Sequence, residues 1–193
     1  MQGHVHQLNC SAGGVPKLPV DEAELTPTGL VGDRQAKPFI HGGPQRALSL
    51  YSLELIEELR AEGHPISPGA AGENVTVAGL DWSRLSPGAR LRIGDEVVIE
   101  ISGYANPCPT IRHSFTNGEF KRISQKLTPG VSRLYARVLS TGRIRVGDPV
   151  VVLDATTTDA RSDEISVAAK GAKARRVMVT LASLGGRKNP GAV

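Results

Sequence analysis

Long apolar runs and the familiar catalytic motifs are both absent from this sequence of 193 residues. No run of about 18 apolar residues is available to cross a bilayer, and the opening residues lack the basic-then-apolar order of a signal peptide. We therefore expect a cytoplasmic protein without membrane contact. The Gly-x-Gly-x-x-Gly, Walker A, His-Glu-x-x-His and Gly-x-Ser-x-Gly motifs are also missing, which excludes the common nucleotide-binding, zinc-protease and esterase signatures.

Cysteine is scarce, with Cys10 and Cys108 far apart in the chain. In a reducing compartment we expect two free thiols and no disulfide framework. The two cysteines and five histidines do not reach the dense spacing of a structural zinc site. Any metal is therefore expected to bind through few protein ligands or through a cofactor, and soft sulfur is the obvious ligand.

The excess of positive charge is confined to the end of the chain. Residues 155–193 contain seven Lys or Arg and three Asp or Glu, so residues 1–154 contain 16 of each sign out of totals of 23 and 19. A neutral body disfavours a nucleic-acid-binding face on the main domain. A non-catalytic binding module whose basic tail docks an acidic partner or nucleic acid is the lowest-ranked hypothesis.

The composition favours one mainly β domain with short helices. The 22 glycines and 13 prolines imply many turns, and the apolar content of 39% is that of an ordinary globular protein. We predict a domain over residues 1–154 and a basic, partly loose extension over 155–193. Strands are predicted at 3–8, 24–30, 47–50, 75–77 and 134–139, a helix from Ser52 to about Glu62, and one or two short helices within 110–127, interrupted at Asn117-Gly118.

Two stretches echo each other, at 88–101 and 142–153. Each has an alternating segment, a Gly-Asp pair and an apolar segment, which is the pattern of a β-hairpin. We predict one hairpin unit used twice.

Cys108 lies between Pro107 and Pro109, directly after an apolar strand. Each proline fixes its own φ and disfavours helix at the preceding residue, so an extended or turn conformation is predicted for the cysteine. Arg112 and His113 follow, and nearby positive charge stabilises a thiolate. The residues alone leave open whether Cys108 is a reactive or metal-binding sulfur or a small buried apolar group.

A loop at 37–46 combines glycine with cationic side chains. Gly42 and Gly43 permit positive φ and close approach of a ligand to the backbone, while His41 and Arg46 offer donors to phosphate or another anion. Arg34 lies at the exit of the preceding loop. A plain structural turn is the alternative interpretation.

Six segments, taken in order, resemble the MOSC domain, the C-terminal domain type of molybdenum cofactor sulfurase, and most closely its stand-alone YiiM-like bacterial members. The resemblance covers about residues 3–153. The segments are Gly-Asp-Arg at 32–34, His-Gly-Gly-Pro-Gln-Arg-Ala at 41–47, Gly-Glu-Asn-Val-Thr-Val at 72–77, Leu-Arg-Ile-Gly-Asp at 91–95, Asn-Pro-Cys at 106–108 and Tyr-Ala-Arg-Val-Leu at 135–139.

The resemblance implies a β-barrel-like domain that binds the molybdenum cofactor, molybdopterin with its metal. It implies a catalytic Cys108 that ligates molybdenum, and anion contacts from the loops at the cofactor's phosphate end: Arg34, His41, Gly42, Gly43, Arg46 and Asn74. Many relatives carry an arginine shortly before the Pro-Cys pair, where this chain has Tyr-Ala-Asn at 104–106. The anion contact of that arginine is therefore either missing here or supplied by Arg112.

Two activities follow from the resemblance. The first is reduction of N-hydroxylated small-molecule substrates with electrons from a partner protein. The alternative is a sulfur carrier or cofactor-handling module with a persulfide on Cys108, which needs a desulfurase partner because the chain has no desulfurase domain of its own. The substrate is not specified by the sequence, and a homodimer is left open.

Overall fold

The computed structural model describes residues 2–35 and 42–153. They belong to one compact unit that ends at Leu153. The predicted extension at 155–193 and the predicted anion-binding residue His41 lie outside the described residues. Elements are numbered in chain order: β1 (Gln2–Cys10), β2 (Leu18–Val20), β3 (Glu22–Thr26), β4 (Gly29–Leu30), β5 (Leu48–Ser52), α1 (Leu53–Ala61), β6 (Val75–Ala78), β7 (Arg90–Ile93), β8 (Val97–Tyr104), β9 (Leu134–Ser140), β10 (Gly142–Arg145) and β11 (Pro149–Leu153).

Seven strands form a closed ring, so the predicted mainly β, barrel-like fold is confirmed. The larger sheet runs β11-β7-β8-β9-β5-β6-β1-β2, and β1 also pairs with β11, which closes the barrel. All of these pairs are antiparallel except β5 with β6. A second sheet, β10-β3-β4, is not hydrogen-bonded to the ring, and its Leu25, Leu30 and Ile144 pack in the same hydrophobic core.

Alternation of apolar and polar residues gives the barrel its core. In β8, Val97, Ile99 and Ile101 are buried while the residues between them are partly exposed. Successive side chains of a strand point to opposite faces, so this strand presents one apolar face to the interior. The core continues from the other ring strands, with Leu48 and Leu50 of β5 fully buried.

The predicted helix is present as α1. Ser52 is its N-cap, and its side chain accepts a hydrogen bond of 3.3 Å from the Leu55 backbone N–H. Ile56 and Leu59 are buried on one face. The chain leaves the helix through Gly63, whose φ of 93° is one that glycine adopts readily.

The hairpin prediction is confirmed for the first echo segment and wrong for the second. β7 and β8 pair antiparallel across a short turn. β10 instead pairs with β3, and β11 pairs with β7 and β1. The two apolar echo segments therefore lie in different pairings, because long-range register decides the partner of a strand whose local pattern suits several.

Two smaller predictions are refined. The strand predicted at 24–30 is divided into β3 and β4 by a tight turn, with Pro27 and Thr28 at its centre. The short helices predicted after Cys108 are three 3₁₀ turns, Pro109–Ser114, Thr116–Gly118 and Phe120–Ile123, and the predicted interruption appears as a positive φ of 57° at Asn117.

The ends of several ring strands meet at one end of the barrel. The pairings Leu8–Val75, Val75–Leu50, Leu50–Leu134 and Leu134–Tyr104 form a row across five strands. The end of β1, the beginnings of β6 and β9 and the end of β8 therefore lie together. The loops that leave these points build the candidate site.

Candidate functional site

A cleft opens at this end of the barrel and encloses about 740 Å³ of empty space, counting its open mouth. Loops from seven parts of the chain contribute to its wall. The lining residues are Gly14, Val15, Lys17, Arg34, Gln35, Arg46, Ser49, Ala71, Gly72, Asn74, Cys108, Thr110, Ile111, Arg133 and Tyr135.

The wall contributed by these described residues is cationic and contains no Asp or Glu. Lys17 forms a buried ion pair with Asp33, which lies behind the wall, so its charge is largely balanced. Arg34, Arg46 and Arg133 also line the cleft. Three arginines around one concave surface favour an anionic ligand, since a guanidinium matches phosphate or carboxylate oxygens in a bidentate geometry.

Cys108 lies in the cleft wall in the conformation that its flanking prolines predict. Its φ of −127° and ψ of 162° are extended, and it precedes the 3₁₀ turn Pro109–Ser114. The thiol is partly exposed, and its Sγ lies 2.7 Å from the Thr110 Oγ1. The turn is anchored by buried Ile111 and by Ser114, whose hydroxyl donates to the Ala70 carbonyl at 3.3 Å. The sulfur is therefore held at the surface of the cleft.

Arg133 is the most buried of the three arginines, with 6% of its surface exposed. The backbone before it is held by two core aromatics: Tyr51 Oη donates to the Val131 carbonyl at 3.1 Å, and Trp82 Nε1 donates to the Ser132 carbonyl at 2.9 Å. The Arg133 carbonyl accepts a bond of 2.8 Å from the Ala105 N–H. Because the backbone that carries it is held in place, the Arg133 guanidinium is preorganised for a ligand.

The second cationic element is Arg46 with Tyr135. Gly43 has a φ of 95° and begins the 3₁₀ turn Pro44–Arg46 that carries the arginine. The Arg46 guanidinium carbon lies 5.6 Å from the centre of the Tyr135 ring, within the range of a cation–π contact. These two residues also border a second groove, together with Gln45, Ser102, Gly103, Tyr104 and Asn106. The groove therefore adjoins the cleft.

The structure brings four of the predicted site residues together in the cleft wall: Arg34, Arg46, Asn74 and Cys108. Gly42, Gly43 and Arg112 lie outside the wall formed by residues 2–35 and 42–153, and Arg112 is exposed, with its Cβ close to Gly118. Among the described residues of the cleft wall, Lys17 and Arg133 are the buried cations, and the roles of all these residues stay predictions.

Sequence reasoning missed Lys17, Thr110, Arg133 and Tyr135. A signal for the last two was available, because Leu134 and Ala136 of β9 are buried and the alternate residues must face the other way. Arg133 and Tyr135 share that face. The sequence around Lys17 does not indicate that this residue is buried in the cleft wall, because its buried ion-pair partner, Asp33, belongs to a different loop.

The described part of the chain contains no group of three or more His, Cys, Asp or Glu side chains placed to hold a metal ion. It also contains no helix with the length and apolar character needed to cross a membrane.

Known proteins resemble this chain over most of its described part. It is 34% identical over 138 residues to the uncharacterized protein YflK of Bacillus subtilis and 33% identical over 141 residues to the protein YiiM of Escherichia coli. These matches cover 69% and 70% of this chain, and 60% and 62% of the relatives. A protein named reductase from Gibberella moniliformis is 31% identical over 134 residues, or 66% of this chain and 23% of that protein. The chain thus spans about three fifths of the two bacterial relatives.

The fold has a solved counterpart. The crystal structure of YiiM from Geobacillus stearothermophilus superposes with a TM-score of 0.63 at 23% identity, covering 81% of this chain and 77% of that one. A family model described as the MOSC domain matches residues 37–151, which includes most of the barrel and the cysteine. The chain therefore belongs to the MOSC domain family, which is associated with the molybdenum cofactor.

Proposed function

We propose that this protein is a molybdenum-cofactor enzyme that reduces N-hydroxylated substrates, with Cys108 as the protein ligand to molybdenum. One observation carries the proposal: a single cleft holds a partly exposed thiol and three arginines. A soft sulfur suits molybdenum, and the arginines suit an anionic phosphate. The name of the Gibberella relative, reductase, is consistent with this reaction class.

The residues of the cleft fit the cofactor at both ends. Within residues 2–35 and 42–153, the buried Nε of Arg133 has no hydrogen-bond partner, so the cleft contains a cationic donor that protein groups leave unsatisfied. Such a group is costly unless a ligand binds it. Arg34, Arg46 and Arg133 would hold the phosphate and Cys108 the metal, and the bound cofactor supplies the two-electron chemistry.

The proposed reaction takes its electrons from an external reductant. In an amidoxime the N–O bond breaks, two electrons and two protons are consumed, and an amidine and water are released. The chain's own residues bind and orient the reactants at the cleft, while an electron-donor protein supplies the electrons. We propose residues 1–154 as the domain that carries this activity.

Metal and pterin analysis tests the cofactor directly. Protein purified from a molybdenum-replete host is expected to contain molybdenum and pterin in similar amounts. The control is another molybdenum-cofactor protein expressed in the same host. If that control is loaded and this protein contains neither component, the proposed function is wrong.

The groove beside the cleft is the proposed place for the substrate. Gly103 has an ordinary strand conformation, and a Cβ added there would meet no atom within 4 Å. Gly103→Phe should therefore fill the groove without straining the backbone. We expect the KM for an aromatic amidoxime to rise roughly tenfold, because losing one contact in a substrate pocket commonly costs that much.

Steady-state kinetics with a chemical reductant check this expectation. Gly103→Ala is the matched control and should behave as wild type, since one methyl group leaves most of the groove open. Molybdenum content should be equal in all three proteins. An unchanged KM in Gly103→Phe would place the substrate elsewhere.

A sulfur carrier is the second candidate, and the exposure of the Cys108 thiol supports it. A thiolate that accepts a persulfide must be reachable by a partner protein. Incubated with a cysteine desulfurase and cysteine, the protein should gain one sulfur at Cys108 in an intact mass spectrum. No mass gain would count against this role and would leave the reductase proposal in place.

A further inference from the structure

Behind the cleft lies a carboxyl group that the proposed reaction does not use. Glu73 is fully buried, and its Oε1 accepts hydrogen bonds from the Gly69 N–H at 2.6 Å and the Thr76 hydroxyl at 3.1 Å. Its other oxygen, Oε2, is buried and has no partner among residues 2–35 and 42–153. A buried carboxylate with one unsatisfied oxygen is unfavourable, and protonation of that oxygen relieves the cost.

The charge that opposes this protonation belongs to Arg133 in the cleft wall. Its Nη1 lies 3.8 Å from the position that a Cβ on Gly72, the residue before Glu73, would take. Burial raises the pKa of Glu73, and bonds from the backbone, the Arg133 charge and the Thr76 hydroxyl each lower it in part. The phenol of Tyr51 from β5, whose own pKa is raised by burial, also interacts with Glu73. Arg133 is therefore the charged group that most strongly favours the ionised form of Glu73.

We propose that Glu73 takes up a proton when an anion binds Arg133 in the cleft, so that the buried carboxyl sets the anion affinity of the site. An anion on the guanidinium cancels the positive field that Glu73 feels, while the burial of Glu73 stays the same. The proton comes from solvent and protonates the carboxylate, most simply at Oε2. Glu73 is thus a positioning residue that acts through Arg133.

The inference rests on the proposed function only in taking the cofactor's phosphate as the natural anion. The linkage has a definite sign. Anion binding raises the proton affinity of Glu73, so protonation of Glu73 must raise the anion affinity by the same factor. Anion affinity is highest at low pH. It falls by up to about tenfold per pH unit in the range between the pKa of Glu73 in the anion-free protein and its higher pKa in the anion-bound protein.

Sulfate is the probe, because it stays a dianion between pH 5 and 8. Its affinity for wild type, measured by calorimetric titration at constant ionic strength, is expected to fall as pH rises. In Glu73→Gln the amide imitates the protonated carboxyl, so the affinity should stay near the wild-type low-pH value at every pH. Glu57→Gln removes an exposed carboxyl of α1 and should keep the wild-type pH profile.

A second measurement needs no variant. Titrating wild type with sulfate in two buffers of different ionisation enthalpy gives the number of protons taken up on binding. Net uptake is expected, and Arg133→Met should lose both the uptake and at least about tenfold in affinity, since a hydrogen bond to a charged group contributes that much.

Three results would overturn the inference: equal pH profiles in wild type and Glu73→Gln, no proton uptake by wild type, or no sulfate binding at all. None of them decides the proposed function, which depends on molybdenum and pterin content. Conversely, protein without molybdenum that still binds sulfate with proton uptake would refute the enzyme and leave the linkage intact.

Discussion

Cys108→Ser is expected to lower amidoxime reduction by at least about 100-fold, because even partners outside the first coordination shell of a metal commonly contribute 10- to 100-fold. The substitution removes one soft ligand and leaves the backbone between the two prolines unchanged. Since the side chain is partly exposed, little stability should be lost. Turnover with a chemical reductant and molybdenum content, measured on the same preparation, give the result.

Cys10→Ser is the matched control. Cys10 is also a partly buried thiol, but it packs against the core, and burial and then the Asp33 charge raise its pKa. It does not line the cleft. Activity should survive this substitution, apart from a modest loss of stability. Full turnover in Cys108→Ser would mean that the sulfur is not the metal ligand.

The local elements of this fold could be predicted because their signals are local. Ser52 at the start of an amphipathic segment indicates a capped helix, and the alternation in β8 indicates a half-buried strand. Closure of the ring could not be predicted in the same way. It depends on β11 pairing with both β1 and β7, and nothing in its Val-Val-Val sequence selects those partners over the adjacent β10.

The same contrast between local and long-range signals applies to the residues of the candidate site. Cys108 was predictable because two prolines fix its backbone without help from the rest of the chain. Arg133 was missed because its importance comes from burial, and its burial comes from Tyr51 and Trp82, which hold the preceding backbone from distant strands and loops. The sequence shows which residues are charged. It does not show which of them are buried, because the desolvation of a side chain such as Arg133 is produced only by tertiary structure.

Asn74 makes structural hydrogen bonds in addition to lining the cleft, where the sequence predicts a binding role for it. The sequence suggests a ligand at a strand entrance. In the structure its Oδ1 accepts hydrogen bonds from the Ser49 N–H at 3.2 Å and the Ser49 hydroxyl at 3.0 Å. Its Nδ2 donates to the Asn9 carbonyl at 3.3 Å and to Asp33 Oδ2 at 2.9 Å. The amide therefore ties β1, β5 and the Asp33 loop together beneath the cleft.

Asn74→Ala is accordingly expected to lower the free energy of unfolding by about 3 kcal/mol, because it leaves several buried polar groups without a partner. Only 3% of Asn74 is exposed, so water cannot easily replace the lost bonds. Urea denaturation should show the change as a lower midpoint with an unchanged slope. The melting temperature should fall by roughly 6 to 12 °C for a domain of this size.

Asn106→Ala is the matched control, since Asn106 is an exposed asparagine beside the same cleft and should change stability by no more than about 0.5 kcal/mol. Measuring sulfate affinity well below the melting temperature separates the two roles of Asn74. If its amide only supports the loops, the folded Asn74→Ala protein should bind sulfate within a few-fold of wild type. A large loss of affinity with an unchanged unfolding free energy would instead make Asn74 a direct ligand, because the anion would then be replacing bonds that the structure assigns to Ser49 and Asp33.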